Sequence, residues 1–218
     1  MKFAVIGATG LVGNAVVQEL AARGHQVTAF ARNVDKVFKA ENVTAQAADV
    51  NSAEFAAQLA GFDGVVSAFN PGWENPNIAA DYTKGANAIV EAAKSAQVPY
   101  LLVVGGAGSL YVAPGLQLVD TPDFPAEVYP GANAARNHLK DLQARRDVNW
   151  AFISPAPMFA VNPVRFERSG QYVLGQDEML TNAQGEPADI SAADLACAIA
   201  DDVEQKGHLF SRFTVAEK

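Results

Sequence analysis

Short runs of nearly continuous apolar residues alternate along most of the chain with stretches whose apolar positions recur at helical spacing. Residues 3–6, 26–30, 43–47, 64–69, 100–104 and 150–153 read as strands. Their continuous apolar character suits parallel strands covered on both faces. Between the first two, Leu11, Ala15, Val16 and Leu20 share one helical face, and Gly24 stands where a helix-ending glycine belongs. Asn51 and Glu54 have capping-box spacing ahead of a short helix over 55–59, which Gly61 ends. Residues 78–95 form a longer helix with Ile78, Tyr82, Ala86, Ile89, Val90 and Ala93 on its apolar face. A further helix over 134–146 places His138 toward solvent.

Strand, helix, strand repeated in this way predicts a doubly wound, mostly parallel Rossmann-type α/β sheet with helices on both faces. After residue 153 the alternation fails. Residues 155–190 carry prolines at 155, 157, 163 and 187 and the turn signals Ser169-Gly170 and Gln184-Gly185, so a small irregular substrate region is expected there. Ser191 and Asp194, at capping spacing, open a final helix to Val203, and residues 210–215 read as a last strand. Nothing in the pattern divides residues 1–218, so one domain is expected.

Half of the 218 residues are hydrophobic and 18% are charged, enough to bury a sizeable core. Lys plus Arg total 16 against 24 Asp plus Glu, a net charge of −8 that disfavours nucleic acid or an anionic membrane as partner. The lone cysteine, Cys197, excludes an intrachain disulfide framework and reads as a buried thiol. The N-terminal apolar run breaks at Gly7, too short for a signal peptide, and no stretch reaches the ~20 apolar residues of a membrane span, so a cytoplasmic protein is expected.

The candidate chemistry starts at Gly7-Ala8-Thr9-Gly10-Leu11-Val12-Gly13, between a strand and a helix. One glycine permits the tight bend, one lets backbone approach a pyrophosphate, and one lets helix and strand pack closely. The first-turn amides then face the phosphates. After the second strand come Arg32 and Asn33, where an acidic residue would hold the ribose 2′-hydroxyl of NAD. Arg32 suits a 2′-phosphate instead and favours NADP over NAD, the alternative being a solvated surface arginine. After the third strand, Asp49 and Val50 either meet the adenine or merely form a turn.

With these residues in place the chain resembles the atypical short-chain dehydrogenases/reductases, and more narrowly the small NADH-flavin-reductase-like proteins related to biliverdin-IXβ/flavin reductases. The resemblance rests on the glycine turn, Val27-Thr28-Ala29-Phe30-Ala31-Arg32-Asn33, Leu101-Leu102-Val103-Val104-Gly105-Gly106-Ala107-Gly108-Ser109-Leu110, Ile153-Ser154-Pro155 with Met158-Phe159, and the tail 208–216. It implies strand order 3-2-1-4-5-6, with Ala68, Phe69 and Asn70 passing the nicotinamide ribose. It also implies Gly105, Gly106 and Ala107 as the floor under the nicotinamide, and Ser154 and Pro155 near its carboxamide.

Many enzymes of this kind use Tyr-x-x-x-Lys for proton transfer, but here the corresponding stretch is Tyr129-Pro130-Gly131-Ala132-Asn133. Without a fixed cation, Tyr129 is a poor base at neutral pH. The expected reaction is hydride transfer from NADPH to a small flat aromatic acceptor, FMN, another flavin or a quinone, for which water supplies the proton. Ser109 either contacts the acceptor or nicotinamide or only bonds local backbone, and Tyr129 stacks on or hydrogen-bonds the acceptor. Phe69, Trp73, Leu110, Met158 and Phe159 are candidate walls, and Arg165 and Arg168 candidate anion contacts. His25, His138 and His208 are too dispersed for a metal site. Two alternatives stand beside the reductase: a non-catalytic NADP sensor acting through a protein partner, and epimerase chemistry, which needs the missing lysine.

Overall fold

The computed structural model describes residues 1–161 and 163–218. Its strands are β1 (Lys2–Ile6), β2 (Gln26–Ala31), β3 (Val43–Ala47), β4 (Gly64–Ser67), β5 (Leu101–Val104), β6 (Tyr111–Ala113), β7 (Leu116–Gln117), β8 (Trp150–Pro155), β9 (Tyr172–Gly175) and β10 (Arg212–Glu217). Its helices are α1 (Leu11–Ala22), α2 (Phe55–Gln58), α3 (Ile78–Ser95), α4 (Tyr129–Gln143) and α5 (Ala192–Gln205). Eight strands make one sheet in the order β3-β2-β1-β4-β5-β8-β10-β9. All pair in parallel except β9, which runs antiparallel to β10. The β6–β7 hairpin stands apart.

The central apolar runs read as strands because they supply two cores at once, whereas β3, at the sheet edge, is mostly exposed. Phe3 and Val5 of β1, Leu102 of β5, and Ala151 and Ile153 of β8 face the core shared with α1 and α5. Their neighbours Ala4, Ile6, Leu101, Val103, Trp150 and Phe152 face the core on the α2–α4 side. Successive side chains point to opposite faces, so a strand covered on both sides has no polar position to spare.

Several details differ from the sequence expectation. α4 begins at Tyr129, five residues before the expected start at 134, because Pro130 occupies a first-turn position where its missing N–H costs nothing. This phase puts His138 on the buried face, with 5% exposure against the edge of Tyr82, not in solvent. Asn51 does not cap α2: its side chain turns back to Asp49 Oδ1, at 3.3 Å, and no side chain caps that helix. Ser191 does cap α5, accepting from the Asp194 amide at 3.1 Å. The sheet extends beyond the implied six strands through β10 and β9, and the last strand starts at Arg212.

The 155–190 segment is less irregular than expected: it contains β9 and is tied down by ions. Buried Glu19 on α1 accepts from Arg23 Nε at 2.8 Å and from Arg168 at 2.8 and 2.9 Å. Arg23 continues to Asp201 at 2.6 Å and Glu204 at 3.0 Å on α5. Asp194 accepts from the amides of Ser169 and Gly170. Arg165 pairs with Glu167, Asp189 and Glu217. Both Arg165 and Arg168, the candidate anion contacts, are thus engaged in ion pairs of the fold.

Hydrogen bonding from Arg168, reinforced by Arg23 and opposed by burial, pulls the Glu19 carboxyl down to about 2 from an ordinary value of 4.5. The stabilisation this provides is complete above pH 4.5 and is lost as pH falls toward 2. Glu19→Gln should lower Tm at pH 7, by about 2–4 °C for each kcal/mol removed, and should flatten the acid limb of stability between pH 4.5 and 2. Thermal unfolding of both proteins across that range tests it; an unchanged acid limb would remove Glu19 as the acid-sensitive anchor.

Candidate functional site

Chain order reverses at β1: β2 and β3 lie to one side, and β4, β5 and β8 to the other. In such a sheet the crevice forms at the carboxyl ends of the strands flanking the reversal. The glycine turn sits there. Gly7, at φ +77°, and Ala8 both donate their N–H to Phe30 O at 3.1 Å, and Gly10 N–H donates to Gly7 O at 3.0 Å. A Cβ on Gly7 would lie 2.4 Å from Ala68 O, and one on Gly13 2.2 Å from Gly7 O. Thr9 and Gly10 are exposed on the rim, with Leu11 and Val12 half-buried behind them. No side chain caps α1 at Gly10, and its first turn holds no acidic residue. Its orphan amides and positive dipole end therefore face the crevice, a cradle fitted to a pyrophosphate.

Arg32 and Asn33 follow β2 and are exposed. Asn33 Oδ1 accepts from the Asp35 amide at 2.9 Å. Of the chain's eight arginines, seven donate to protein oxygens. Arg32 has no such partner among the described residues. Exposed Asp49 accepts from the Asn51 amide at 2.9 Å, a local turn, while Val50 rests half-buried on the α2–α4 core. Beyond β4, the Ala68 amide bonds Ile6 O at 2.9 Å, and Asn70 Oδ1 accepts from Gly72 at 2.7 Å. Phe69 turns inward, its ring filling the space where Gly85 lacks a side chain. It packs beside Tyr82, half-buried on the small cluster between α3 and α4.

At the end of β5, the Gly105 amide donates to Ile153 O at 2.9 Å. A Cβ on Gly105 would fall 1.9 Å from the Phe152 ring, whereas one on Gly106 would meet nothing within 4 Å. Gly106 thus leaves an open floor, followed by a single 3-10 turn over Ala107–Ser109. Ser109 is 2% exposed and Ser154 fully buried, and their hydroxyls lie 3.5 Å apart. Ser109 Oγ also reaches Gly106 O at 3.5 Å, the local-backbone alternative. Pro155 is buried behind them as the last residue of β8.

Sequence reasoning missed what joins the two serines. Arg212, with its side chain 2% exposed, lies 3.4 Å from Ser109 Oγ and 3.5 Å from Ser154 Oγ. It donates to Asp177 Oδ1 at 2.7 Å. The available signal was an arginine opening a strand with apolar Phe213, Val215 and Ala216, since a buried charge needs a partner.

Tyr129 opens α4, exposed, and lines a cavity of about 420 Å³ with Val119, Asp120, Thr121, Phe124 and Ala126. One turn on, Asn133 Oδ1 accepts from Arg136 at 2.5 Å, and Arg136 pairs with Asp120 at 2.6 Å. Trp73, 60% exposed, overlies Gly131. Met158 is exposed, Leu110 is wholly buried and Phe159 packs on the α1–α5 core, so Leu110 and Phe159 are core and not walls. Burial pushes the His138 imidazole down to about 4 and the Cys197 thiol up to about 11, leaving both uncharged at neutral pH. His25 and His208 hold Glu204 and Asp202, both at 2.6 Å, away from the crevice. No group of three His, Cys, Asp or Glu among the described residues is arranged to hold a metal ion. No helix among them is long and apolar enough to cross a membrane.

Residues 7–206 match the NAD(P)H-binding protein family. The chain is 40% identical to the uncharacterized protein YwnB of Bacillus subtilis, over all of this chain and 99% of that one. It is similar in structure to a Streptococcus pneumoniae protein provisionally named an NADH-flavin reductase, at 35% identity, full coverage of both chains and TM-score 0.86. A Bacteroides thetaiotaomicron protein provisionally named an epimerase is also similar, at 36% identity, TM-score 0.90 and coverage of 99% of this chain and 96% of that one.

Two neighbouring glycines separate packing from access. Gly105→Ala should overpack Phe152 and cost about 1–3 kcal/mol, seen as a lowered Tm. Gly106→Leu should keep Tm near that of the parent and abolish nicotinamide nucleotide binding measured by calorimetry. Unaltered binding by Gly106→Leu would show that the space over Gly106 is not used.

Proposed function

The chain belongs to the NAD(P)H-binding family, and from that premise we propose that it is an NADPH-preferring oxidoreductase reducing a flat aromatic acceptor, a flavin or quinone. When bound, the reduced nicotinamide supplies a hydride from C4 and is oxidised, while the acceptor gains two electrons and takes its balancing proton from water. The turn Gly7, Thr9, Gly10, Leu11 and Val12 holds the pyrophosphate, and Arg32 with Asn33 takes the 2′-phosphate. Asp49 and Val50 border the adenine, and Ala68, Phe69 and Asn70 present backbone to the nicotinamide ribose. Gly105, Gly106 and Ala107 floor the ring, and Ser154 and Pro155 lie beside its carboxamide. Ser109 acts from beneath, through Ser154 and Arg212.

The observation that carries the reading is at Asn133. The position one turn after Tyr129 offers an amide clamped by Arg136, and the charge of Arg136 is matched by Asp120. That position holds Asn133 and no lysine, so alcohol oxidation and epimerisation, which use a Tyr–Lys pair there, are poorly served. Hydride transfer to a flavin or quinone asks mainly for two flat rings held at the right distance and orientation. The unpartnered Arg32 supports NADPH in the same way, because a guanidinium fork suits a phosphate.

Absorbance at the nicotinamide band, with and without acceptor, tests the activity: saturable, acceptor-dependent loss of NADPH is expected. Tight binding without turnover would favour an NADP-sensing regulator instead. Arg32→Glu should weaken NADPH binding at least tenfold more than NADH binding, since each factor of ten needs only about 1.4 kcal/mol; equal losses would remove Arg32 from the 2′-phosphate. Tyr129→Phe should change kcat by less than about threefold, against the 10²–10⁴-fold typical of a lost general acid or base.

A further inference from the structure

A second cavity, of about 500 Å³, lies between the β6–β7 hairpin and the strand-like segment after β9. That volume is within the ~300–1,000 Å³ usual for small-molecule sites. Tyr111, Pro114, Met179 and Thr181 give it aromatic, apolar and hydroxyl surface, and Glu178 gives it a carboxylate. Its walls are stitched together: the Tyr111 amide donates to Asp177 O at 2.9 Å, and the Met179 amide donates to Tyr111 O at 2.9 Å. They are also tied to the proposed nicotinamide floor. Tyr111 stands two residues after Ser109, and Arg212 grips Asp177 while touching Ser109 and Ser154.

We infer that the acceptor entering this cavity carries no phosphate, so that the chain selects riboflavin-like or quinone-like rings over FMN. The inference rests on the reductase reading and supplies its substrate class. Arg212 is matched by Asp177, which leaves Glu178 as the uncompensated charge of the cavity. Among the described residues no lysine or arginine lines it. The neighbouring cavity at Tyr129 offers a phosphate nothing better, because Asp120 is part of its wall and already holds Arg136. The exposed cations Arg32, Lys36 and Lys39 all follow β2, at the end assigned to the cofactor's adenosine half. A phosphate dianion placed about 7 Å from an exposed carboxylate, with water between them, loses roughly tenfold in affinity, less as salt rises. A neutral ring can rest on Tyr111, Pro114 and Met179, surfaces that suit flat aromatic ligands.

Riboflavin and FMN, which share the reacting ring, provide the test. Flavin fluorescence titration of the protein saturated with NADP+ gives binding, and NADPH oxidation gives kcat/KM. The parent should prefer riboflavin about tenfold in both at low salt, with the gap narrowing as salt is raised. Glu178→Gln should close most of the gap by improving FMN relative to riboflavin, and Glu178→Lys should reverse it, with a Tm near that of the parent as the control for folding. Equal or better use of FMN by the parent would overturn the inference and leave the reductase reading standing. Selective, Glu178-dependent riboflavin binding without turnover would uphold the charge selection and sink the reductase reading. Failure to bind or reduce either flavin would overturn the inference, and the same failure with a simple quinone would overturn the reductase reading as well.

Discussion

The approach of backbone to backbone at Gly7, Gly13 and Ala68 is the contact on which the rest of the crevice depends. With no side chain at Gly7 or Gly13, the end of β1, the first turn of α1 and the chain leaving β4 close on one another. Any Cβ there would fall within 2.4 Å of a main-chain oxygen, which no rotamer change relieves. The same device recurs farther along the crevice. The ring of Phe69 occupies the space Gly85 leaves open, and the ring of Phe152 the space at Gly105. The segments leaving β1, β4 and β5 are thus fixed by packing at absent side chains together with the main-chain hydrogen bonds of Gly7, Ala8, Ala68 and Gly105.

Polar cross-links are concentrated behind the crevice. Glu19 gathers Arg23 and Arg168, which brings α1, α5 and the segment before β9 together. Arg212 performs a similar task under the floor, holding Asp177 with its charge and two serines with its remaining N–H groups. A guanidinium only donates, so both serine oxygens act as acceptors toward it and their protons must point elsewhere. Buried charges of this kind demand complete partnering, and the two networks supply it on opposite sides of the last helix and strand.

The parts of the molecule legible in the sequence were those governed by a repeating period. β1 to β5 and β8 announced themselves as apolar runs, α3 matched its expected bounds, and the glycine turn was placed correctly at the carboxyl end of β1. What stayed hidden depends on tertiary partners. β6, β7 and β9 are two to four residues long and carry no period of their own. Their positions are set by pairing at Tyr111 and by β10. The helix expected from 134 starts at Tyr129, because Pro130 is a tolerated helix start and Gly131 makes room for Trp73. That shift in helix start reversed the expected environment of His138. Asn51 had the right spacing to cap, but Asp49 was nearer and captured it. Arg212 was missed because its meaning lies in Ser109 and Ser154, about 100 and 60 positions away along the chain.

The position of β10 between β8 and β9 has a consequence for how the chain matures. β3, β2, β1, β4 and β5 can pair in the order in which a ribosome delivers them, each joining a neighbour already made. β9 cannot, since its sheet partner is β10, whose residues emerge roughly forty positions later. Until then Val173 and Leu174 belong to a strand without a sheet, and the segment carrying Asp177 and Glu178 has no Arg212 to dock on. The half of the crevice built on β1, β2 and β3 is therefore assembled early in synthesis and the half braced by Arg212 last, so a nascent chain would carry its glycine turn in place long before the floor at Gly105 and Gly106 has its buried support.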